Sequence, residues 1–266
     1  MMKPPNILTI AGSDSGGGAG IQADLKTMTA MGTYGMSVIT ALTAQNGEGV
    51  AGIYAPPADF AALQLRTVLE GFPVHAAKTG MLFNAEIITA LADILDGQSF
   101  PLVVDPVCVS TSGHKLLQDD AVDVLRSRLI PRADLLTPNR PEAELFAGMP
   151  IRSDDDAVEA GRRILDLGAK AVLVKGGHCK GKPIFLTDWL LEPDSEPVPL
   201  RQPYIDTQNT HGTGCTLSAG IAAQLGLGMP LSVAVKKAQE FLNKALRSSF
   251  NPGKGFGPVN HLAGRA

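Results

Sequence analysis

The sequence predicts one α/β domain built on a mostly parallel central sheet, with helices on both faces and a small antiparallel addition at one edge. Three observations carry this expectation: apolar, β-branched runs of strand length recur, helix-period segments alternate with them, and the texture changes after residue 180. A chain of 266 residues fits one such unit, since parallel α/β folds often run to about 250 residues as a single domain. Its 44% hydrophobic content against 18% charged supplies ample apolar surface to bury.

In chain order, the expected strands are ILTIA at 7–11, SVITALTA at 37–44, PLVVD at 101–105, ADLLT at 133–137 and AVLVK at 171–175. Helical periodicity occupies 20–31, 58–70, 84–96, 118–129 and 154–167, and Gly32, Gly71, Gly97 and Gly168 follow four of these as C-terminal stop signals. The proline-rich stretch 181–206 reads as antiparallel edge strands, and helices at 214–226 and 231–248 close the chain. With no fixed-period repeat and no low-complexity linker, residues 1–266 are expected to form a single domain.

Composition excludes several classes of partner. The formal charge is only -3, from 23 Lys and Arg against 26 Asp and Glu, so no broad field draws nucleic acid or anionic membrane. Cys108, Cys179 and Cys215 are odd in number and lack CxxC spacing, which argues against a disulfide framework and a structural zinc site. The opening MMKPPNILTIAG has no secretory pattern and no apolar run approaches a membrane span, so a cytoplasmic location is expected.

In open α/β sheets ligands bind beyond the carboxyl ends of the strands. There the expected strands deliver Gly12-Ser13-Asp14, Gln45-Asn46, Asp105, Asn139 with Glu142, and Lys175-Gly176-Gly177, and the stretch around 75–81 offers Lys78-Thr79-Gly80-Met81. Gly212-Thr213-Gly214-Cys215 opens a helix of small residues, and amides at such a terminus form an anion site suited to phosphate. No Walker A motif occurs, so a kinase here is not of the P-loop kind. A dinucleotide fold built on the early GGGAG turn ranks lower, because Gln45 stands where that fold needs an acidic residue. Phosphoryl transfer needs metal-neutralised phosphates, and Asp105 and Glu142 are the carboxylates placed for Mg2+. Asn139-Arg140-Pro141-Glu142 reads equally well as a capping box.

The blocks AGSDSGGGAGIQAD, GTYGMSVITALTAQN, KTGML, VVDPVCVSTSGHKLL, LLTPNRPEAELFAG, VLVKGGH, NTHGTGCTLSAG and GFGPVNH, in this order, resemble the hydroxymethylpyrimidine/phosphomethylpyrimidine kinases of thiamin biosynthesis, within the ribokinase-like superfamily. The resemblance implies a ribokinase-like fold and two ATP-dependent transfers. The first goes to 4-amino-5-hydroxymethyl-2-methylpyrimidine and the second to its monophosphate, giving the diphosphate. It implies Gln45 pairing with the aminopyrimidine through an amide that both donates and accepts, with Gly12, Asp24, Met81 and Val107 lining the same pocket. It places Gly212, Thr213 and Gly214 at the transferred phosphoryl group, and Lys175, Gly177 and Thr210 at ATP, with part of the adenine pocket in the segment from Lys236 onward.

Cys215 occupies the position where sugar kinases of the superfamily carry an aspartate base. A thiol at a helix N-terminus is expected to have its pKa lowered, so that a thiolate accepts or orients the substrate proton. Cys108 and Cys179 read as inert thiols, and the intervening glycines keep His211 and Cys215 from regular metal-pair geometry. The resemblance also suggests a homodimer. Two alternatives stand beside it: a pyridoxal/pyridoxine kinase of the same branch, and a non-catalytic sensor of the pyrimidine.

Overall fold

The structure is a computed structural model that describes residues 3–108, 117–177 and 182–264. Cys179, expected to be inert, lies outside them, as does part of the VVDPVCVSTSGHKLL block. The described strands are β1 (Asn6–Asp14), β2 (Tyr34–Asn46), β3 (Gly49–Tyr54), β4 (Ala76–Thr79), β5 (Leu102–Val104), β6 (Leu135–Leu136), β7 (Val172–Val174), β8 (Phe185–Leu191) and β9 (Val198–Pro203). They form one sheet in the order β3-β2-β1-β4-β5-β6-β7-β8-β9. The six strands from β2 to β7 are parallel, as expected. Antiparallel strands flank them at both edges, β3 on one side and β8-β9 on the other, whereas the sequence announces only the second.

The helices are α1 (Gly20–Ala30), α2 (Ala58–Gly71), α3 (Ala85–Leu95), α4 (Asp119–Val124), α5 (Arg140–Ala147), α6 (Asp154–Leu165), α7 (Thr213–Gly226) and α8 (Leu231–Arg247). Strand residues alternate between two cores, as the period of the pleat requires. Leu8, Ile10, Leu102, Val104, Val172 and Val174 pack with Leu65, Leu91 and Ile164 of α2, α3 and α6. Ile7, Ala76, Val103 and Leu173 pack with Leu217, Ile221, Val235 and Ala238 of α7 and α8.

Three local readings are corrected. The helix expected over 118–129 changes to π geometry at Leu125–Leu129 and ends in a 3-10 turn at Ile130–Arg132. The capping box at Asn139 is real, with the Asn139 side chain accepting from the Glu142 amide and the Glu142 carboxylate accepting from that of Asn139, so α5 exists where no helix was expected. β4 is also new, since its four residues AAKT include a lysine that breaks an apolar reading.

Candidate active site

A cavity of about 490 Å³ opens at the carboxyl ends of the parallel strands. Of the residues singled out in the sequence, Gly12, Gln45, Met81, Asp105, Val107, Glu142, Lys175, Gly177, Thr210, Gly212, Thr213, Gly214 and Cys215 all line it. The sheet order gives the cavity its polarity: β2, β1 and β4 bring Gln45, Gly12 and Met81 to one end, while β8, β9 and α8 bring Leu186, Pro203, Leu242 and Leu246 to the other. The N-terminus of α7, packed over β1, β4 and β5, stands between.

At that terminus the amides of Gly214 and Cys215 have no acceptor among the described residues, which leaves them free for an anion. Gly212 caps α7 at φ +81°, in the left-handed region, and an added Cβ would meet the Gly18 carbonyl oxygen at 1.9 Å. Gly212→Ala is therefore expected to push apart the two loops that meet there. Because a misplacement of about 1 Å can cost roughly 100-fold, kcat/KM should fall by about that factor, as steady-state kinetics will report.

The GGGAG turn is not an anion site, because it already holds one. Asp14 accepts from the amides of Gly16 (2.8 Å), Gly18 (3.0 Å) and Ala19 (2.8 Å), so a pyrophosphate finds these donors taken. Burial pushes the Asp14 carboxyl up, but His211 and the Ala19 and Gly16 amides outweigh it and hold the group below its ordinary range. His211 Nε2 lies 2.8 Å from Asp14 Oδ2; a carboxylate only accepts, so that nitrogen carries the hydrogen. It cannot then accept from Gln45 Nε2, 3.5 Å away. The Gln45 amide hydrogens consequently remain available to a ligand, while its Oε1 lies 3.0 Å from a Thr43 hydroxyl whose single hydrogen is shared with the Ser13 carbonyl at 2.8 Å.

Below α7 lies a cluster of charge. Asp105 Oδ1 accepts from Lys175 Nζ at 3.0 Å and its Oδ2 from the Ser218 hydroxyl at 3.2 Å. Glu142 accepts the amides of Cys108 (3.0 Å) and Asn139 (2.9 Å), so it serves as a helix cap and also lines the cavity. Burial pushes the Glu142 carboxyl up against the opposing Lys175 charge. Among the described residues no group of three or more His, Cys, Asp and Glu side chains forms a metal cage. Two buried carboxylates in a cavity still match magnesium, which keeps waters and phosphate oxygens as its other ligands. Val107, two residues past Asp105, has φ +45°, a strained backbone for a β-branched residue and one that clusters at functional sites.

Two expectations change. Asp24, expected in the cavity lining, is not part of it. It sits with no exposed surface between α1 and the sheet, where Thr9 donates at 2.6 Å and Lys78 Nζ lies 3.1 Å away. Cys215, expected to have a depressed pKa, is instead pushed up to about 11 by burial, against the opposing charge of Lys78. Helix-terminal amides do not offset the loss of solvent around the sulfur. Cys108 is pushed up to about 12 by burial and by Glu142 and Asp105.

Sequence reasoning missed Asp188, Gln202 and Ser218, which reach the site only through tertiary packing, and left Gln239 and Asn243 unresolved within the segment after Lys236. The sole signal for Asp188 is a carboxylate inside an otherwise apolar strand, FLTDWLL.

Comparison with known proteins then places the chain among relatives. The sequence profile of the family described as phosphomethylpyrimidine kinase matches residues 14–260. A hydroxymethylpyrimidine/phosphomethylpyrimidine kinase of Streptomyces coelicolor is 46% identical over 261 residues, covering 98% of this chain and 95% of that protein. Among solved structures, phosphomethylpyrimidine kinase of Clostridium difficile superposes with a TM-score of 0.79 at 43% identity, over 91% of this chain and 99% of the other. The ADP complex of Bacillus subtilis pyridoxal kinase superposes with a TM-score of 0.89 at 36% identity, over 99% of each chain.

Proposed function

The chain belongs to the phosphomethylpyrimidine kinase family, and from that premise we propose how its cavity works. It is an ATP-dependent kinase of thiamin biosynthesis, phosphorylating 4-amino-5-hydroxymethyl-2-methylpyrimidine and then the monophosphate to the diphosphate. The observation that carries the site assignment is one cavity holding Gln45 at one end, an apolar slot at the other, and the unpaired amides of Gly214 and Cys215 between them.

In this reading the aminopyrimidine lies against Gly12, Met81 and Val107, with Gln45 donating through its free amide hydrogens. ATP enters from the apolar slot, past Thr210 and Gly177, and its γ-phosphate meets the free amides of Gly214 and Cys215 while Lys175 turns toward the phosphates. Asp105 and Glu142 would hold Mg2+, which supplies neutralisation of the phosphate charge when bound. Cys215 begins as a neutral thiol, so its sulfur orients the substrate hydroxyl rather than standing ready as a strong base. A loose transition state tolerates this, since the nucleophile's proton leaves late and positioning carries most of the catalysis. The reading extends to a cytoplasmic homodimer, as the resemblance to the family suggests.

The direct test supplies purified protein with Mg-ATP and the pyrimidine alcohol and follows ADP release and diphosphate formation. ADP release no faster than without the alcohol would sink the reading, and binding without turnover would favour the sensor instead. The superposition on pyridoxal kinase motivates a second reading, pyridoxal phosphorylation in the same cavity. Specificity constants for the two substrates decide between them, and a tenfold preference for pyridoxal reverses the assignment. Gln45→Ala is expected to weaken pyrimidine binding by about 1–3 kcal/mol, the cost of stranding a buried polar partner. Calorimetry checks this, and an unchanged Kd removes Gln45 from the pocket.

A further inference from the structure

Four polar side chains in the wall of the apolar slot form one chain of hydrogen bonds. Asn243 Nδ2 donates to Gln202 Oε1, Gln202 Nε2 donates to Gln239 Oε1 at 3.3 Å, and Gln239 Nε2 donates to Asp188 Oδ2 at 2.7 Å. Asp188 Oδ1 takes the amide of Gly176 at 2.8 Å, and all four side chains line the cavity.

The direction of this chain is fixed at its Asp188 end. The Gly176 amide donates to Asp188 Oδ1, and Gln239 turns its NH2 to Oδ2 of the same carboxyl. Its carbonyl then faces Gln202, which must donate in turn, and the carbonyl of Gln202 obliges Asn243 to present its NH2. Burial pushes the Asp188 carboxyl above its ordinary range, against the opposing Gly176 and Gln239 amides and the Lys175 ammonium. The remaining atom, Asn243 Oδ1, has no donor among the described residues. Around it Leu186, Pro203, Leu242 and Leu246 supply apolar surface for a flat ring.

We propose that Asn243 is a specificity-determining residue of the nucleotide site, accepting a hydrogen bond from the exocyclic amino group of the base, and that Asp188, Gln239 and Gln202 are positioning residues that hold its carbonyl toward the ligand. An adenine offers an N–H at its 6-position, whereas guanine offers a carbonyl that would face the Asn243 oxygen unfavourably. The proposal rests on the reading that ATP occupies this end of the cavity, and it makes the preference for ATP over GTP a property of this wall.

The experiment measures kcat/KM for ATP and GTP in the wild type, Asn243→Leu, Gln239→Leu and the double variant. Asn243→Leu should raise KM for ATP about tenfold, the loss of one hydrogen bond, with GTP little affected, so the ATP/GTP ratio falls by about the same factor. Gln239→Leu should lower the ratio in the same direction, and the double variant should add little, because both cut one relay. An unchanged ratio in Asn243→Leu with turnover intact overturns the proposal, and additive losses overturn the relay. Asn243→Leu lies at the open end of the chain, so it remains informative if Gln239→Leu fails to fold. Absence of ATP-dependent turnover in the wild type overturns the kinase assignment instead, which separates the two failures.

Discussion

Replacing Cys215 by alanine is expected to lower kcat by about 100-fold, the cost associated with misplacing the reacting groups, while KM for the pyrimidine moves little. That split marks an interaction made in the transition state rather than in substrate binding. Cys215→Ser distinguishes two roles for the sulfur. A thiol that orients the hydroxyl is partly replaced by a serine hydroxyl, which hydrogen-bonds in the same place, whereas a thiolate base is not replaced at all. With its pKa pushed up to about 11 by burial, the free enzyme holds a protonated thiol at neutral pH. Alkylation of Cys215 should be slow at pH 7 and rise with pH toward an inflection near that value. Fast labelling at pH 7, or an unchanged kcat in Cys215→Ala, would contradict this account.

Asp24→Ala is expected to destabilise the fold by about 3–5 kcal/mol, the cost of leaving a buried charge without its partner. Lys78, fully buried 3.1 Å from Asp24, then loses the carboxylate it pairs with among the described residues. For a domain of this size each kcal/mol lowers Tm by roughly 2–4 °C, so calorimetry should find a loss of about 10 °C. Burial lowers the Lys78 pKa, but the charges of Asp24, Cys215 and Asp105 together outweigh it and the net shift is upward, while burial pushes the Asp24 carboxyl up against the Lys78 charge. The 3.1 Å contact, with the Thr9 hydroxyl donating to the same carboxyl, has the geometry of an ion pair. Combining Asp24→Leu with Lys78→Met should recover most of the loss, since apolar replacement of a whole buried pair is close to neutral. A changed KM with an unaltered Tm in Asp24→Ala would instead return Asp24 to the substrate pocket.

These two residues also mark where the sequence is legible and where it stops. The central strands are readable because burial on both faces makes each an unbroken β-branched run, as in ILTIA and PLVVD. β4 escapes because its outer core position is Lys78, whose partner Asp24 is 54 residues away and invisible to any local pattern. β3 escapes because GVAGIY is short, carries two glycines and is mostly exposed. The rim of the cavity was legible because strand ends point there whatever the loops contain, and thirteen of the fourteen site candidates reach it. The thiol's ionisation was not, because it turns on the desolvation of a half-buried sulfur by its packed surroundings, a tertiary quantity. The wall made by Asp188, Gln202, Gln239 and Asn243 joins two strands to a helix by amide contacts that no spacing encodes.

The carboxylate of Asp14, seated in the amides of Gly16, Gly18 and Ala19, acts as a resident counter-ion in the first turn of the fold. A loop of this kind in other folds becomes orderly only when a guest phosphate arrives, so its ordering entropy is charged against the guest. Here the plug is covalently part of the wall, so the loop beside Gln45 has these amides satisfied without a guest anion.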